Sequence, residues 1–228
     1  MHPIAASRAF SGIVVGVLTL TGLWMKISYL LFELEQVSFP VLLLLAMVVS
    51  IFLGMGITTT AAYLLVAIVV APVLVRMGVP ELAAHMFVFY YAVISTITPP
   101  VALAAYAAAG IADTDPFKTA LVGFRVGIAK FVVPFYLIYR PDILLVSADP
   151  LKAIYALVMS FVGIWALAAS ACGYAFRELK IYERLVHFAG IPLTIPYNFT
   201  WNLIGAGIIL VFTGYLWMNV RTTGELRK

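Results

Sequence analysis

The stretch GMGITTT, residues 54–60, decides the fold, because it lies in the middle of a long run that carries no charge. No Asp, Glu, Lys or Arg occurs from residue 37 to 75, and three further gaps cover residues 82–112, 153–176 and 185–220. Each gap exceeds the roughly 20 apolar residues that cross a bilayer as a helix. Hydrophobic residues make up 64% of the chain and charged residues 11%. In soluble domains roughly half of the residues are hydrophobic and about a quarter are charged. The chain is therefore predicted to lie in a lipid bilayer.

Two of these runs are too long to be single spans. As one helix, residues 38–75 would be about 57 Å long and residues 82–112 roughly 46 Å, at 1.5 Å per residue. The hydrocarbon core is only about 30 Å thick, so both runs must break or turn. The first has its glycines at Gly54 and Gly56, which permit unwinding. The second carries STITPP at residues 95–100, near its middle.

The second interruption is expected to expose oxygen atoms. Pro99 and Pro100 carry no N–H, so the carbonyls of Ser95 and Thr96 lose their usual helical donors. Thr98, before a proline, is biased out of the helical region. Backbone carbonyls flanked by three hydroxyls make an environment that hard cations prefer.

The first interruption adds the hydroxyls of Thr58, Thr59 and Thr60. A half-helix that starts near Thr60 would point its free N–H groups and positive end at the break, which suits an anion. Paired interrupted helices at mid-membrane depth indicate a transporter's binding site. We therefore expect the two interruptions to face one another across a solute cavity. The structural alternative is that Gly, Ser and Thr serve helix packing and that the prolines mark a kink.

The remaining apolar segments predict ordinary membrane helices, at residues 9–32, 117–139, 152–176 and 199–219. Residues 177–187 are charged and net basic, which places them on the cytoplasmic side. Residues 185–197 fit a short span, a re-entrant piece or a surface segment equally. The sequence thus predicts an all-α integral membrane protein, a bundle of transmembrane helices with two interrupted or re-entrant helical segments.

Charge and side-chain chemistry exclude other classes. The formal net charge of +4 comes from basic residues in short connectors and at the C-terminus, so no nucleic-acid partner is expected. Cys172 is the only cysteine, which excludes a disulfide and a thiolate metal site within the chain. An intramembrane hydrolase that uses Ser95 and His85 is a weaker alternative, because no GxSxG elbow is present.

The residues around both interruptions resemble a known family. GMGITTTAAYLLVAIVVAPVL (54–74) and AHMFVFYYAVISTITPPVALAAYAAAGIA (84–112) closely resemble the large permease subunit of tripartite ATP-independent periplasmic (TRAP) transporters. Within that family the likeness is greatest to the fused permeases that work with TAXI-type binding proteins. GIVVGVLTLTG (12–22) and DPFKTALVGFRVG (115–127) continue it, so that it covers roughly residues 9–145.

The resemblance implies a transporter subunit and not an enzyme. It implies sodium-coupled import of organic acids through the inner (plasma) membrane of a bacterial or archaeal cell. A soluble periplasmic binding protein would deliver the acid, and no cofactor other than the coupling Na⁺ would be needed. Residues 1–145 would be the C-terminal repeat of an inverted-repeat transport region, and residues 146–228 additional transmembrane helices. The N-terminal permease half would then come from elsewhere. A chain without that half could instead be a non-transporting accessory or structural membrane subunit.

Carried over residue by residue, the resemblance implies sodium or substrate contacts at Gly54, Gly56, Thr58–Thr60, Ser95 and Thr98–Pro100. The hydroxyl argument adds Thr96 to this set. The family usually has Pro-Thr-Thr where this chain has three threonines, so Thr58 is a departure from its pattern.

Arg125 is the other candidate. It follows Asp115 by about ten residues, hence roughly 15 Å along a helix, which predicts a position near the membrane midplane. A central Arg must face a partner or a cavity. Arg125 is therefore expected to hold a substrate carboxylate, or else to have a structural role, as one member of a structural pair or through a hydrogen bond to the carbonyls of a broken helix.

Overall fold

The computed structural model describes residues 9, 12–13, 16–17, 20–33, 38–146, 149–196 and 198–223. Within these ranges the chain is built of α-helices and short 3-10 segments without a β-sheet, which confirms the predicted all-α class. The helices are α1 (Leu23–Glu33), α2 (Phe39–Gly54), α3 (Thr59–Arg76), α4 (Glu81–Ile94), α5 (Leu103–Ala112), α6 (Pro116–Val126), α7 (Val133–Tyr139), α8 (Pro150–Cys172), α9 (Ile181–Thr194) and α10 (Phe199–Thr223).

The chain divides into two compact units, Met1–Phe124 and Arg125–Lys228. The repeat boundary after residue 145, which the resemblance implies, stays a prediction. In the part of the chain that the structure describes, three helices are long and apolar enough to cross a membrane, namely α3, α8 and the Phe199–Arg221 part of α10. A fourth candidate is the bent pair formed by Pro116–Val126 and Ile128–Tyr139.

That bent pair corrects the prediction of one helix over 117–139. The α-helix stops at Val126, and a 3-10 segment covers Ile128–Phe131 before α7 begins. Gly127 supplies no side chain to pack across the joint, and Pro134 cannot donate to the carbonyl four residues before it. The apolar pattern runs on without interruption here, which is why the pattern alone predicts a continuous span.

The other spans agree with their predictions to different degrees. Helix α1 covers only the end of the predicted 9–32 segment, and Gly22 turns the chain just before it with a φ of 63°. Within the earlier part, the described residues 9, 12–13, 16–17 and 20 are also helical, and residues 10–11, 14–15 and 18–19 lie outside the described residues. Residues 185–197, for which the sequence left three forms open, continue α9 as far as Thr194.

In the first unit, helices α2, α3 and α4 pack against one another in pairs. Their common core holds fully buried side chains such as Leu43, Val66 and Phe87, together with small residues such as Ala84. Small residues let helix backbones approach closely, which is how helices associate in a membrane. This three-helix core positions both ends of the first interruption.

In the second unit, local signals in the sequence define the ends of α8. Asp149 caps its start by accepting hydrogen bonds from the backbone N–H groups of Leu151 and Lys152. Pro150 occupies the first helical position, where its missing N–H has no consequence. Gly173 ends the helix in a left-handed conformation with φ of 74°.

Helix α9 begins with a buried ion pair. The Glu183 carboxylate is 1% exposed and accepts hydrogen bonds from Arg177 at 2.6 and 3.0 Å and from the Lys180 backbone N–H at 2.8 Å. Burial alone would raise the pKa of Glu183, but these bonds hold that pKa below its ordinary value. The charged connector is therefore an ordered structure that starts α9.

Candidate functional site

The first interruption separates α2, which ends at Gly54, from α3, which begins at Thr59. Gly56 is buried and has φ of 81°, a left-handed conformation that favours glycine. Thr58 is extended, with φ of −66° and ψ of 148°. The predicted break is confirmed, and the second half-helix starts one residue before the predicted Thr60.

The second interruption separates α4 from α5. The chain passes from α4 into a 3-10 turn at Ser95–Ile97 and then becomes extended at Thr98, with φ of −91° and ψ of 122°. The Pro99–Pro100 peptide bond is cis, and Ala102 takes a left-handed conformation with φ of 32° before α5 begins. This break is also confirmed.

The two interruptions touch one another directly. A Cβ atom built on Gly54 would lie 2.7 Å from Ser95 Oγ, 3.1 Å from Ser95 Cβ and 3.4 Å from Ala92 Cα. The end of α2 therefore packs against the end of α4 so closely that only a glycine fits at position 54. The sequence predicted that the breaks meet across a cavity, whereas at Gly54 and Ser95 they are in contact. Ser95 itself is fully buried in this arrangement.

The hydroxyl groups of the second interruption are all used as donors. The Ser95, Thr96 and Thr98 hydroxyls donate to the carbonyls of Ala92, Val93 and Ile94, at 2.6, 2.7 and 2.8 Å. Each hydroxyl oxygen keeps its lone pairs, so toward any solute it can act only as an acceptor. Acceptor-only oxygens are the kind of ligand that hard cations take.

The predicted free carbonyl of Ser95 is not free. The Thr98 N–H donates to it at 3.3 Å. In a helix the donor would be the amide of Pro99, which has no hydrogen, and the 3-10 turn replaces it with the amide one residue earlier. The Thr98 carbonyl accepts from the Ala102 N–H at 3.1 Å, and the Pro100 carbonyl accepts from the Tyr106 hydroxyl. Tight turns thus satisfy part of the backbone that the prolines interrupt.

The threonines of the first interruption lie at a helix N-terminus. Thr58 and Thr60 are exposed and Thr59 is half-buried, and no side chain caps α3. The Ala62 N–H donates to the Thr58 carbonyl at 2.8 Å, which is the first bond of the helix. The amides of residues 59–61 come before it and have no carbonyl within the helix to donate to.

Arg125 lies in the second unit, at the C-terminal end of α8. Its Nε donates to the Ala171 carbonyl at 3.3 Å and its Nη2 to the Cys172 carbonyl at 3.2 Å. These contacts support the structural alternative, in which the guanidinium binds helix carbonyls. Because α8 is long enough to span, its C-terminal end would lie at an edge of the bilayer, which differs from the midplane position predicted for Arg125. The depth of Arg125 in the membrane stays a prediction. A contact with substrate stays a prediction.

The hydrolase alternative finds no support in the geometry. His85 Nδ1 is 2.9 Å from the Tyr63 hydroxyl, while the Ser95 hydroxyl donates to a backbone carbonyl. A serine nucleophile needs its base within hydrogen-bond reach, and these two side chains bond elsewhere. Among the described residues no group of three or more His, Cys, Asp or Glu side chains could hold a metal ion.

Sequence reasoning missed a buried polar cluster around Arg140, which is fully buried at the end of α7. Its guanidinium donates to the carbonyls of Thr194 at 2.8 Å, Ile195 at 3.2 Å and Pro196 at 3.1 Å, and to the Asn202 side chain. The cluster therefore ties the end of α9 to α7 and α10. An arginine at the edge of an apolar segment looks like an interfacial anchor in sequence, so no signal distinguished it.

Comparison with known proteins gives one match. A family model described as "Tripartite ATP-independent periplasmic transporter, DctM component" matches residues 4–151, which is more than half of the chain. That match contains both interruptions. Neither the curated proteins nor the solved structures contain a match to the chain.

Proposed function

This chain belongs to the DctM family, the large permease component of TRAP transporters, and from this membership we propose that it carries the ion and solute site of a sodium-coupled importer. The solute would be an organic acid that a periplasmic binding protein delivers. The membrane would be the inner membrane of a bacterial or archaeal cell. The candidate spans support a multi-pass membrane protein.

One observation carries the proposal, namely the direct contact between the two interruptions at Gly54 and Ser95. Broken backbone at membrane depth is costly, because each unsatisfied peptide group costs several kcal/mol. Two breaks that are in contact therefore indicate one common binding site, which two separate kinks would not. In secondary transporters, substrate and coupling ions bind where such interrupted helices meet.

The second interruption is proposed to hold the cation. Thr96 and Thr98 offer acceptor-only hydroxyl oxygens because their hydrogens are donated to helix carbonyls. No Asp or Glu occurs in either interruption, so neutral oxygens are the ligands on offer. Such a set suits Na⁺ and gives a proton no group to titrate.

The first interruption is proposed to hold the acid. The uncapped N-terminus of α3 presents amide N–H groups beside the exposed hydroxyls of Thr58 and Thr60. The positive end of a helix favours a carboxylate. The two halves of the site would then bind opposite charges at neighbouring points.

Radioactive sodium tests the ion site without knowledge of the acid. The purified chain in detergent micelles should bind it, and Thr98→Val should weaken binding by about tenfold, since one charge-assisted contact of 1.4 kcal/mol or more is lost. Thr114→Val is the matched control, because the Thr114 hydroxyl is exposed and pairs with Thr119 at 3.1 Å. Equal loss in both variants, or binding that Thr98→Val leaves intact, would contradict the assignment.

Transport is tested in proteoliposomes under a sodium gradient, with the chain alone and with a separately expressed TRAP permease half that carries the first repeat. Sodium-driven uptake of an organic acid in either arm supports the function. No uptake in either arm, together with sodium binding that does not change in Thr59→Ala or Thr98→Ala, would leave the accessory role as the function.

A further inference from the structure

Two guanidinium groups meet at the C-terminal end of α8. Arg184 Nε donates to the Ser170 carbonyl at 2.7 Å and its Nη2 to the Ala171 carbonyl at 3.2 Å. Arg125 Nε donates to the same Ala171 oxygen at 3.3 Å. The two positive groups are therefore close neighbours that share one carbonyl.

The negative charge around this pair is only partial. The C-terminus of a helix carries roughly half an elementary charge, whereas the two arginines carry two positive charges. The ion pairs of Asp149 with Lys152 and of Glu183 with Arg177 do not involve Arg125 or Arg184. The end of α8 therefore keeps a surplus of positive charge that an anion can neutralise.

An apolar groove opens beside the same arginines. It has a volume of about 340 Å³, and its apolar walls are Ile128, Leu167, Ile181, Leu185 and Phe188, with Arg184 at its edge. Leu185 and Phe188 are 62% and 55% exposed. The groove therefore offers hydrocarbon contact on the outside of the helices, where lipid chains lie in a membrane protein.

The level in the membrane matches a headgroup. Helix α8 has 23 residues, which is about 34 Å at 1.5 Å per residue, so its two ends fall at the two edges of a core about 30 Å thick. Tyr174, two residues after this end, and Tyr182, at the start of α9, have exposed side chains, as interfacial tyrosines do. With α8 spanning in this way, the arginines would stand at phosphate level with the groove beside them.

We propose that this place is a binding site for one anionic phospholipid. Its phosphate lies against the Arg125 and Arg184 guanidinium groups, and one acyl chain fills the groove between α8 and α9. Basic pockets between membrane helices recognise anionic headgroups in this way. The proposal does not depend on transport.

The test uses the full chain, delipidated in detergent and titrated with phosphatidylglycerol or with phosphatidylcholine of the same chains. Native mass spectrometry counts bound lipid, and the rate at which a soluble maleimide modifies Cys172 reports occupancy at the site. Cys172 is exposed, is the chain's only cysteine, and its carbonyl bonds to Arg125. We expect one phosphatidylglycerol to bind more tightly than phosphatidylcholine and to slow the modification of Cys172.

Two variants separate the headgroup from the chain. Arg125→Gln should lower the affinity for phosphatidylglycerol by about fivefold and leave the affinity for phosphatidylcholine unchanged. Leu185→Trp should fill the groove and weaken both lipids without removing a charge. Arg221→Gln, on an exposed arginine that lies over Trp217, is the control and should change neither.

Three results would overturn the proposal. The first is equal affinity for the two lipids, or no effect of Arg125→Gln. The second is displacement of the lipid by inorganic phosphate at comparable concentration, which would show that the groove contributes nothing. The third is protection of Cys172 by self-association of the chain in the absence of lipid, which would assign the groove to a second copy.

Discussion

Gly54→Ala tests the contact on which the site depends. The added methyl group would lie 2.7 Å from Ser95 Oγ, at least 0.7 Å closer than ordinary contact begins at 3.4 Å, and 3.1 Å from Ser95 Cβ. Ser95 cannot turn away at no cost, because its hydroxyl is fully buried and donates to Ala92 at 2.6 Å. Overpacking of this kind costs about 1–3 kcal/mol, against which the better helix propensity of alanine returns at most about 1 kcal/mol.

A double mutant assigns that cost to the contact. Ser95→Ala removes the nearest atom and loses one hydrogen bond, which costs about 1 kcal/mol. With Oγ gone, the nearest atoms to the methyl group of Gly54→Ala are the β-carbon of residue 95 at 3.1 Å and Ala92 Cα at 3.4 Å. The double mutant should therefore be more stable than the sum of the single effects predicts, by about 1 kcal/mol.

The assay is denaturation of the purified protein in detergent micelles, followed by tryptophan fluorescence and circular dichroism. Gly110→Ala is the control, because nothing lies within 4 Å of a Cβ added there inside α5. That change should raise stability by about 0.5–1 kcal/mol. If Gly54→Ala behaves like Gly110→Ala, or if its effect simply adds to that of Ser95→Ala, the two interruptions are not in contact and the site must be abandoned.

Three further outcomes are expected. Thr58→Pro should raise the free energy of unfolding by about 0.4–1 kcal/mol, because the φ of −66° at Thr58 is the angle that proline fixes. Ala62→Pro should lower the free energy of unfolding by about 3 kcal/mol, because it removes the Ala62 N–H that bonds to the Thr58 carbonyl. Stability should fall on acidification as the pH drops through the folded-state pKa of Glu183, which lies below the ordinary 4.5. The stabilisation from Arg177 is fully present above 4.5, and Glu183→Gln should flatten this part of a thermal-midpoint profile. Arg140→Met should lower the free energy of unfolding by about 3 kcal/mol or more, because the carbonyls of residues 194–196 lose a charged donor at once. Unchanged denaturation would show that the polar cluster around Arg140 is not formed.

The sequence predicts the two interruptions because each rests on a length that no helix can have in a bilayer. Gly56 and the Pro99–Pro100 pair then mark where the backbone leaves the helix. The contact between Gly54 and Ser95 could not be predicted, since it depends on how α2 and α4 pack and no local pattern encodes that. Gly54 looks the same in sequence whether it serves a turn or a close approach.

The misses have a common physical origin. Gly127 and Pro134 break the predicted 117–139 span, but the apolar residues continue across both positions. A hydrophobic pattern also carries no information about the backbone N–H that Pro134 lacks. Arg125 and Arg140 both bind the carbonyls at helix ends. A sequence shows that such an arginine lies in an apolar segment but does not show which helix end comes to meet it.

The direction in which the hydroxyl hydrogens point at Thr96 and Thr98 has an electrical consequence. Because those hydrogens are already committed to carbonyls of α4, the oxygens present fixed dipoles with the same polarity in acid and at neutral pH. No group there gains or loses a proton over that range. For an acid that stays fully ionised over that range, the number of elementary charges that cross the membrane with each solute molecule would then stay constant. The current recorded per molecule taken up should therefore not change between mildly acidic and neutral solutions.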